Sequence, residues 1–287
     1  MRVAVITDSA ASLPEKMAAS LGIGVVPMGL VLGGIVYRDG QLDPAELLMR
    51  SASEAVTTSA PTPGEFAKAV AAADPEEGAL VITVSGVMSA SFKSARLAAG
   101  CFPAGLVEVV DSGTAAGAQG LVAIAAAAAS ARGAGLAEVA QVARQVASQV
   151  RLVAGLESLD YLARGGRVPN LAARASGSLG VLMVFEFAGG RIRPRRPARG
   201  PTAALGRIVE AIRDTRPSTF AVLRAAVMHS QAPAEAQLLA DVASSEYPGS
   251  QILRAPFSAV MVAHTGPGLV GAAWWWDTTG PGRTGRS

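Results

Sequence analysis

Residues 2–9, Arg-Val-Ala-Val-Ile-Thr-Asp-Ser, decide the fold because they join a short apolar run to a polar, turn-forming end. A run of this kind, bounded by turn residues, is typical of a buried strand. Residues 79–85 and 106–112 have the same form, and each also passes from apolar residues into a serine. The three segments therefore predict buried strands whose carboxyl ends carry hydroxyl and carboxylate side chains.

Segments with helix signals separate these strands. Pro14 comes two residues after Ser12, Pro44 directly follows Asp43, and Pro63 opens a third segment. All three are usual signals of a helix start. A further strand is predicted over residues 24–32. Strands that alternate with helices at this spacing predict a mostly parallel sheet with helices on both faces. The predicted helices cover about residues 12–21, 43–51, 63–73, 89–99, 114–132 and 136–150.

The sequence pattern changes after about residue 152. In this second half of the chain, residues 181–187 and 191–195 predict the two strands of an antiparallel hairpin. We expect an α/β fold of two lobes. Residues 1–151 would form a Rossmann-like lobe with a mostly parallel sheet, and residues 152–276 a second α/β lobe with the hairpin. The tail, residues 277–287, is expected to be disordered. The other elements predicted here are strands over 152–156, 220–228, 260–264 and 271–275, and helices over 159–164, 203–213 and 233–245.

Composition excludes several classes of function. Of the 287 residues 50% are hydrophobic, and the formal net charge is only +3. A nucleic-acid-binding protein would be expected to combine a concentrated basic face with aromatic side chains, and this sequence lacks that pattern. Cys101 is the only cysteine, which rules out an intrachain disulfide and disfavours a metal site. We therefore expect no metal, no cofactor and no nucleic-acid partner.

The apolar segments are short. The run before Asp8 is too short for a secretory signal, and the longest apolar stretch, residues 121–129, is too short to span a membrane. A cytoplasmic protein is the expectation that follows.

Polar side chains collect at the predicted strand ends, where α/β proteins commonly bind ligands. Neutral hydrogen-bond donors together with one histidine suit a carboxyl group better than a phosphate. We therefore predict a shared polar cleft. The side chains expected in or beside it are Thr7, Asp8, Ser9, Thr58, Ser59, Ser89, Ser91, Asp111, Ser112 and His264.

Gly266, Gly268 and Gly271 match the G-x-G-x-x-G pattern of dinucleotide-binding loops. Such a loop should open a long helix and precede an acidic residue by about 20 positions. Asp277 lies much too close, and too few residues follow for that unit. A tight glycine turn between two strands is the favoured interpretation.

Short motifs follow one another in a fixed order over about residues 3–276. They are Thr7-Asp8-Ser9, Leu13-Pro14, Val26-Pro27, Tyr37-Arg38-Asp39, residues 58–63, Asp111-Ser112, residues 161–167 and residues 264–268. No single motif is decisive, but the ordered set is specific, and it resembles the DegV family, whose members include the FakB fatty-acid-binding proteins.

One run departs from the family pattern. At residues 88–93 the family has Leu-Ser-Gly-Thr-Tyr-Gln and this chain has Met-Ser-Ala-Ser-Phe-Lys. Ser89 is kept, whereas Ala90 stands in place of a glycine and raises the question of crowding against a ligand.

The resemblance implies a ligand-binding carrier. One long-chain fatty acid would lie in an apolar tunnel, with its carboxyl group held by Thr58, Ser89 and His264 and supported by Arg167. Gly266 would belong to the surrounding cleft. A protonated His264 would favour the ionised carboxylate.

The resemblance also implies partners. A separate ATP-dependent kinase of the FakA type would convert the presented carboxyl group to an acyl phosphate, and Arg199 would contact that kinase. The basic run over residues 191–199 would also suit transient contact with an anionic membrane surface.

Two other functions stay open. An acyl hydrolase would use Ser89 as nucleophile and His264 as base, with Asp8 or Asp111 as the orienting acid, although a G-x-S-x-G elbow is missing. A lipid-sensing interaction module would bind the same ligand and dock a partner other than the kinase.

Overall fold

The computed structural model describes residues 2–73, 75–167 and 180–279. Its strands are β1 (Ala4–Asp8), β2 (Ile23–Val26), β3 (Gly29–Leu32), β4 (Ile35–Arg38), β5 (Val56–Ser59), β6 (Ala79–Thr83), β7 (Val107–Asp111), β8 (Arg151–Leu156), β9 (Val181–Ala188), β10 (Arg191–Pro194), β11 (Ala198–Arg199), β12 (Val222–His229), β13 (Gln251–Pro256) and β14 (Val270–Asp277). Its helices are α1 (Glu15–Leu21), α2 (Pro44–Arg50), α3 (Pro63–Ala72), α4 (Ser91–Ala99), α5 (Ala116–Ala131), α6 (Leu136–Gln149), α7 (Asp160–Arg164), α8 (Gly200–Asp214), α9 (Pro233–Glu246) and α10 (Ala259–Thr265), with a 3-10 turn over Ser9–Ala11.

The first sheet is parallel throughout and has the strand order β2-β1-β6-β7. One face packs on α5 and α6, and the other face packs on α3 and α4. Strands covered on both faces need continuous apolar runs, which is what the sequence provides. The predicted Rossmann-like parallel sheet is confirmed, and it brings the carboxyl ends of β1, β6 and β7 to one edge.

A small antiparallel sheet has the order β4-β3-β5. The prediction of one strand over residues 24–32 is wrong, because the chain breaks at Pro27 between β2 and β3. Proline has no N–H for a strand ladder, which suits a break at this point. Thr58 lies on β5 opposite the fully buried Leu30. Its neighbour Thr57 is exposed on the other face of the sheet.

The large sheet has the order β10-β9-β8-β14-β12-β13, with β11 beside β9. Its strands pair antiparallel except for β12 with β13. The predicted hairpin is confirmed as β9 and β10. One face, which includes Val153 and Trp274, packs on α8 and α9. The inner face, which includes Leu152, Ala154 and Ala273, packs toward α5 and the ends of β1 and β6.

Residues 260–264 belong to a helix, α10, so the strand predicted there is wrong. Periodicity does not separate a short buried helix from a strand when nearly every residue is apolar. The Asp39 carboxylate accepts a hydrogen bond from the backbone N–H of Val260 near the start of this helix. Gly266 ends it with a φ of 69°, a value that favours glycine. His264 therefore lies in the last turn of a helix.

The last strand, β14, extends to Asp277, whose carboxylate accepts a hydrogen bond of 2.9 Å from Arg224. Residues 280–287 of the predicted tail lie outside the described residues. Within the described ranges, no helix combines the length and apolar character needed to cross a bilayer.

Candidate functional site

A narrow apolar slot lies between the carboxyl edge of the first sheet and the inner face of the large sheet. Segments after β1 and β6 and the start of α5 form one side, and β8, β9, β12 and β14 form the other. Among the described residues that line it, only Ser89, Arg167, His264 and Thr265 carry polar side-chain nitrogen or oxygen atoms. The slot is therefore suited to an apolar ligand with a small polar end.

The slot ends at a polar mouth. A second cavity, lined by Thr58 and by both polar and apolar side chains, adjoins it, and Arg167 and His264 line both cavities. The Oγ1 atom of Thr58 lies 2.9 Å from Nε2 of His264. A hydroxyl, an imidazole and a guanidinium thus meet where the apolar lining stops.

His264 is uncharged at neutral pH. Burial lowers the pKa of His264 to about 4, and the positive charge of Arg167 acts in the same direction. The lowered pKa therefore argues against the protonated imidazole expected from the sequence. The ring has little room to move, because a Cβ added to Gly165 would lie 2.7 Å from Nδ1 of His264. A neutral imidazole offers one donor and one acceptor, and the tautomer decides which of the two faces Thr58.

Arg167 follows the turn after α7. Its backbone N–H donates to the carbonyl oxygen of Leu162, and its guanidinium donates to the carbonyl oxygen of Gly165. Burial lowers the pKa of Arg167, but a guanidinium stays protonated in proteins. Arg167 therefore supplies fixed positive charge beside a neutral histidine.

Ser89 lies in the loop before α4 and lines the slot. Its Oγ lies 3.1 Å from Oγ of Ser91 and accepts a hydrogen bond of 3.2 Å from the backbone N–H of Ser91. Ala90 is exposed and has a φ of −73°, an ordinary helical value. The backbone at this position does not require glycine, and the exposed methyl group of Ala90 points to no crowding of the slot.

Asp8 is a buried carboxylate just behind the slot. It accepts hydrogen bonds from the backbone N–H groups of Ala10 and Val84 and from Nε2 of Gln119, at 3.2, 3.0 and 2.9 Å. Burial raises the pKa of Asp8 to about 6, although these hydrogen bonds and one from Ser91 act to lower it. Asp8 therefore joins three segments that reach the slot, and we assign it a structural role.

Thr7 and Ser9 support the same region from either side of Asp8. Thr7 donates to the carbonyl oxygen of Ile82 and accepts from Gln119. The Ser9 hydroxyl accepts a hydrogen bond from the backbone N–H of Met28, which lines the slot. Both side chains hold neighbouring segments in place and are not themselves part of the lining.

Other predicted cleft residues lie apart from the mouth. Ser59 is exposed on the face of β5 opposite to Thr58. Asp111 is also exposed, and its carboxylate accepts hydrogen bonds from the backbone N–H groups of two glycines. The Ser112 hydroxyl donates to a backbone carbonyl two residues away. Gly266 lies against the ring of Tyr161 at the end of α10.

The geometry does not form the serine–histidine pair that an acyl hydrolase needs. His264 contacts the hydroxyl of Thr58, and Ser89 contacts Ser91. The carboxylates of Asp8 and Asp111 are engaged by backbone N–H groups, with Gln119 also bonded to Asp8. The described residues therefore provide no support for that alternative.

Of the three glycines of the G-x-G-x-x-G pattern, Gly266 and Gly268 lie in the turn from α10 into β14, and Gly271 lies within β14. The turn thus joins a helix to a strand, where the sequence predicted a turn between two strands. A dinucleotide-binding loop would instead join a strand to a helix.

Sequence reasoning missed the residues that shape the slot. Phe185 and Phe187 line it from β9, and alternation with period two along that segment could have placed them on one face. Gln119 was also missed. A single amide within an apolar, alanine-rich helix signals a buried hydrogen-bond partner, because an unpaired buried amide is costly.

Comparisons with known proteins agree with this fold. A family model described as an uncharacterised protein family, DegV, matches residues 2–276. A DegV domain-containing protein of Streptomyces coelicolor is 34% identical over 278 residues, which cover 94% of this chain and 96% of that protein.

Two solved structures extend the comparison. A DegV family protein from Thermus thermophilus, described as binding fatty acid, is 30% identical with a TM-score of 0.89, over 96% of this chain and 100% of that chain. The Fatty Acid Kinase B3 protein of Streptococcus pneumoniae, loaded with linoleic acid, is 20% identical with a TM-score of 0.83, over 96% and 100% of the two chains. The second likeness is one of fold.

The buried ionisable groups predict opposite effects of pH on stability. Between about pH 3.8 and 6 the folded state keeps a proton on Asp8 that the unfolded state has lost, so the contribution of Asp8 to the free energy of unfolding falls as pH rises. We expect Asp8→Asn to become more stable relative to wild type by up to about 3 kcal/mol between pH 4 and pH 7.5. Urea unfolding at the two pH values measures this.

His264→Gln provides the comparison of opposite sign. The pKa of His264 is lowered, so its contribution to stability is lost as pH falls from about 6.5 to 4. His264→Gln should therefore raise the free energy of unfolding relative to wild type most at low pH. An Asp8→Asn difference that stays constant with pH would contradict the assignment of a raised pKa.

Proposed function

The chain belongs to the DegV family, and from this premise we propose that it binds one long-chain fatty acid. The acyl tail would lie in the apolar slot, and the carboxylate would lie at the mouth beside Thr58, Ser89 and His264. The observation that carries the proposal is the slot itself, an almost wholly apolar space that ends at the contact between Thr58 and His264. Fatty-acid binding by the Thermus thermophilus relative supports it.

The tail would supply most of the affinity. A long acyl chain has about fourteen CH₂ groups, and burying each contributes about 0.8 kcal/mol, or about 11 kcal/mol in all. Association and ordering cost about 4–15 kcal/mol. The buried tail is therefore the main source of affinity, and contacts to the head group add to it.

The head group would supply orientation. The hydroxyls of Thr58 and Ser89 can donate hydrogen bonds, and so can a ring N–H of neutral His264. A hydrogen bond to a charged group contributes about 1.5–3 kcal/mol. Arg167 adds positive charge that favours an ionised carboxylate at this position.

In this proposal the protein is a carrier and a separate kinase performs the chemistry. The carboxylate at the mouth would be phosphorylated by a kinase of the FakA type, and the likeness of fold to a fatty acid kinase B3 protein is compatible with that partner. Arg199 is exposed on β11 at the edge of the large sheet. Together with the exposed arginines of the 191–199 run, it gives a basic surface for an acidic partner or an anionic membrane.

Native mass spectrometry of the purified protein is expected to reveal one bound fatty acid, or to reveal binding of added palmitate or oleate after lipid removal. The physical reason is the size of the buried apolar contribution. Purified protein that carries no fatty acid and also fails to bind both added acids would contradict the proposed function.

Thr58→Val keeps the side-chain shape and removes the hydroxyl. Loss of a hydrogen bond to a charged group should lower the affinity for palmitate by tenfold or more, in line with about 1.5–3 kcal/mol. Titration calorimetry on lipid-free protein measures the change. Thr57→Val is the matched control. Thr57 is the next residue on β5 and also borders the second cavity, but it is exposed and lies on the opposite face of the strand from the Thr58 hydroxyl that contacts His264. Equal affinities for the two variants would argue against Thr58 as a ligand contact.

Arg199→Glu is expected to leave palmitate affinity unchanged and to slow acyl phosphate formation by a FakA-type kinase by at least about tenfold, because it reverses charge at the docking surface. Arg132→Glu is the control, an equal change of charge at an exposed position after α5. Equal rates for both variants would move the docking surface elsewhere. Lipid-dependent capture of a partner with no kinase activity would favour the sensing module.

A further inference from the structure

We propose that the indole of Trp275 is the end wall of the slot and sets the longest acyl chain that the protein accepts. This inference rests on the proposed fatty-acid function and adds the substrate class to it.

A trough of small side chains runs along β14 on the inner face of the large sheet. Gly271 and Ala273 share this face, because side chains alternate along a strand, and both line the slot. Gly271 pairs with Ala154 on β8. A Cβ added to Gly271 would lie 2.7 Å from the Cβ of Ala154, so this position has no room for a side chain.

Larger side chains stand on both sides of the trough. Phe185 pairs with Ala154 on the β9 side, and Met228 pairs with Gly271 on the β12 side. Both larger side chains line the slot. An apolar tail in the trough would therefore be confined laterally and directed along β14.

Trp275 is the next residue of β14 on the same face after Ala273. Among the described residues of β14, Ala273 is the last that lines the slot. The half-buried Trp275 packs both on the cluster around the slot and on the cluster beneath the first sheet. It also lines two grooves on the outside of the protein. The indole therefore lies between the cluster around the slot and these outer grooves, in a position to close the end of the slot together with Phe187, which lines both the slot and one of the grooves.

The strand fixes the length of the trough. Leu269 lines the slot just after α10, the helix that carries His264, and the path from Leu269 to Trp275 spans about 20 Å at ~3.4 Å per residue. An extended acyl chain advances about 1.3 Å per carbon, given C–C bonds of about 1.5 Å in staggered geometry. The trough therefore matches a chain of about sixteen carbons.

Competition between acids of different length tests the end wall. Lipid-free protein is incubated with an equimolar series of straight saturated acids from dodecanoic to docosanoic acid, and the bound acids are quantified by native mass spectrometry. Wild type should prefer hexadecanoic acid and discriminate against docosanoic acid. Trp275→Ala should raise the ratio of docosanoic to hexadecanoic acid by about tenfold or more, since each further buried CH₂ adds affinity.

Two variants make the test specific. Trp276→Ala removes the same side chain from the next residue, which faces the opposite core, and should keep the wild-type length profile. Ala273→Val fills the trough in front of the wall and should shift the profile toward dodecanoic acid. Thermal melting of each variant verifies that it is folded, and Trp275→Phe, with an intermediate shift expected, serves if Trp275→Ala does not fold.

The outcomes separate the two proposals. If the wild-type protein binds acids and the folded Trp275 variant keeps the wild-type length profile, the end wall is overturned and the proposal of fatty-acid binding is unaffected. Equal shifts in Trp275→Ala and Trp276→Ala also overturn it, because the effect would then be general loosening. Wild type that binds none of the acids overturns both proposals.

Discussion

The hydrogen bonds around the buried carboxylate of Asp8 are the interaction on which the arrangement of the slot depends. A carboxylate inside a protein is costly unless donors surround it. Here the donors come from Ala10 after β1, Val84 after β6 and Gln119 of α5. Ala10 and Val84 themselves line the slot, and so does the first residue of α5. The need to satisfy one carboxylate therefore fixes the relative positions of three parts of the wall.

Small side chains bring the two sides of the slot close together. A Cβ added to Gly117 of α5 would lie 2.8 Å from the Cβ of Ala226 on β12, so the helix approaches the large sheet as closely as glycine permits. Close approach makes the space between them narrow, and a narrow space can contact a methylene chain on every side. A wider cavity would lose those contacts. The high content of alanine and glycine says little about function by itself, but in this fold these small side chains allow the helix and the sheet to approach closely.

The sequence predicted what local patterns determine. The parallel strands β1, β6 and β7 and the β9–β10 hairpin follow from apolar runs and turn residues, and both are found in the structure. The same reasoning gave a wrong prediction for residues 260–264, because a buried apolar helix has no polar face from which its period can be read. The protonation state of His264 could not be predicted from the sequence, because it depends on burial and on the charge of Arg167, which is distant in sequence. The contact of His264 with Thr58 joins residues 206 positions apart, and the motifs hinted at it only through the family resemblance.

A neutral histidine at the mouth would hold a carboxylate less tightly than a protonated one, which would suit a carrier. A carboxylate held by an imidazolium would form a strong charge-assisted contact that has to be broken when the group is handed to a second protein. Neutral donors hold the same group more weakly, and the buried tail, which does not react, can retain the ligand meanwhile. In the proposed function affinity and reactivity would thus reside in different parts of one ligand. Arg167 fits this separation of affinity from reactivity. Its positive charge would stabilise a nearby ionised carboxylate, while its guanidinium donates a hydrogen bond to the carbonyl oxygen of Gly165.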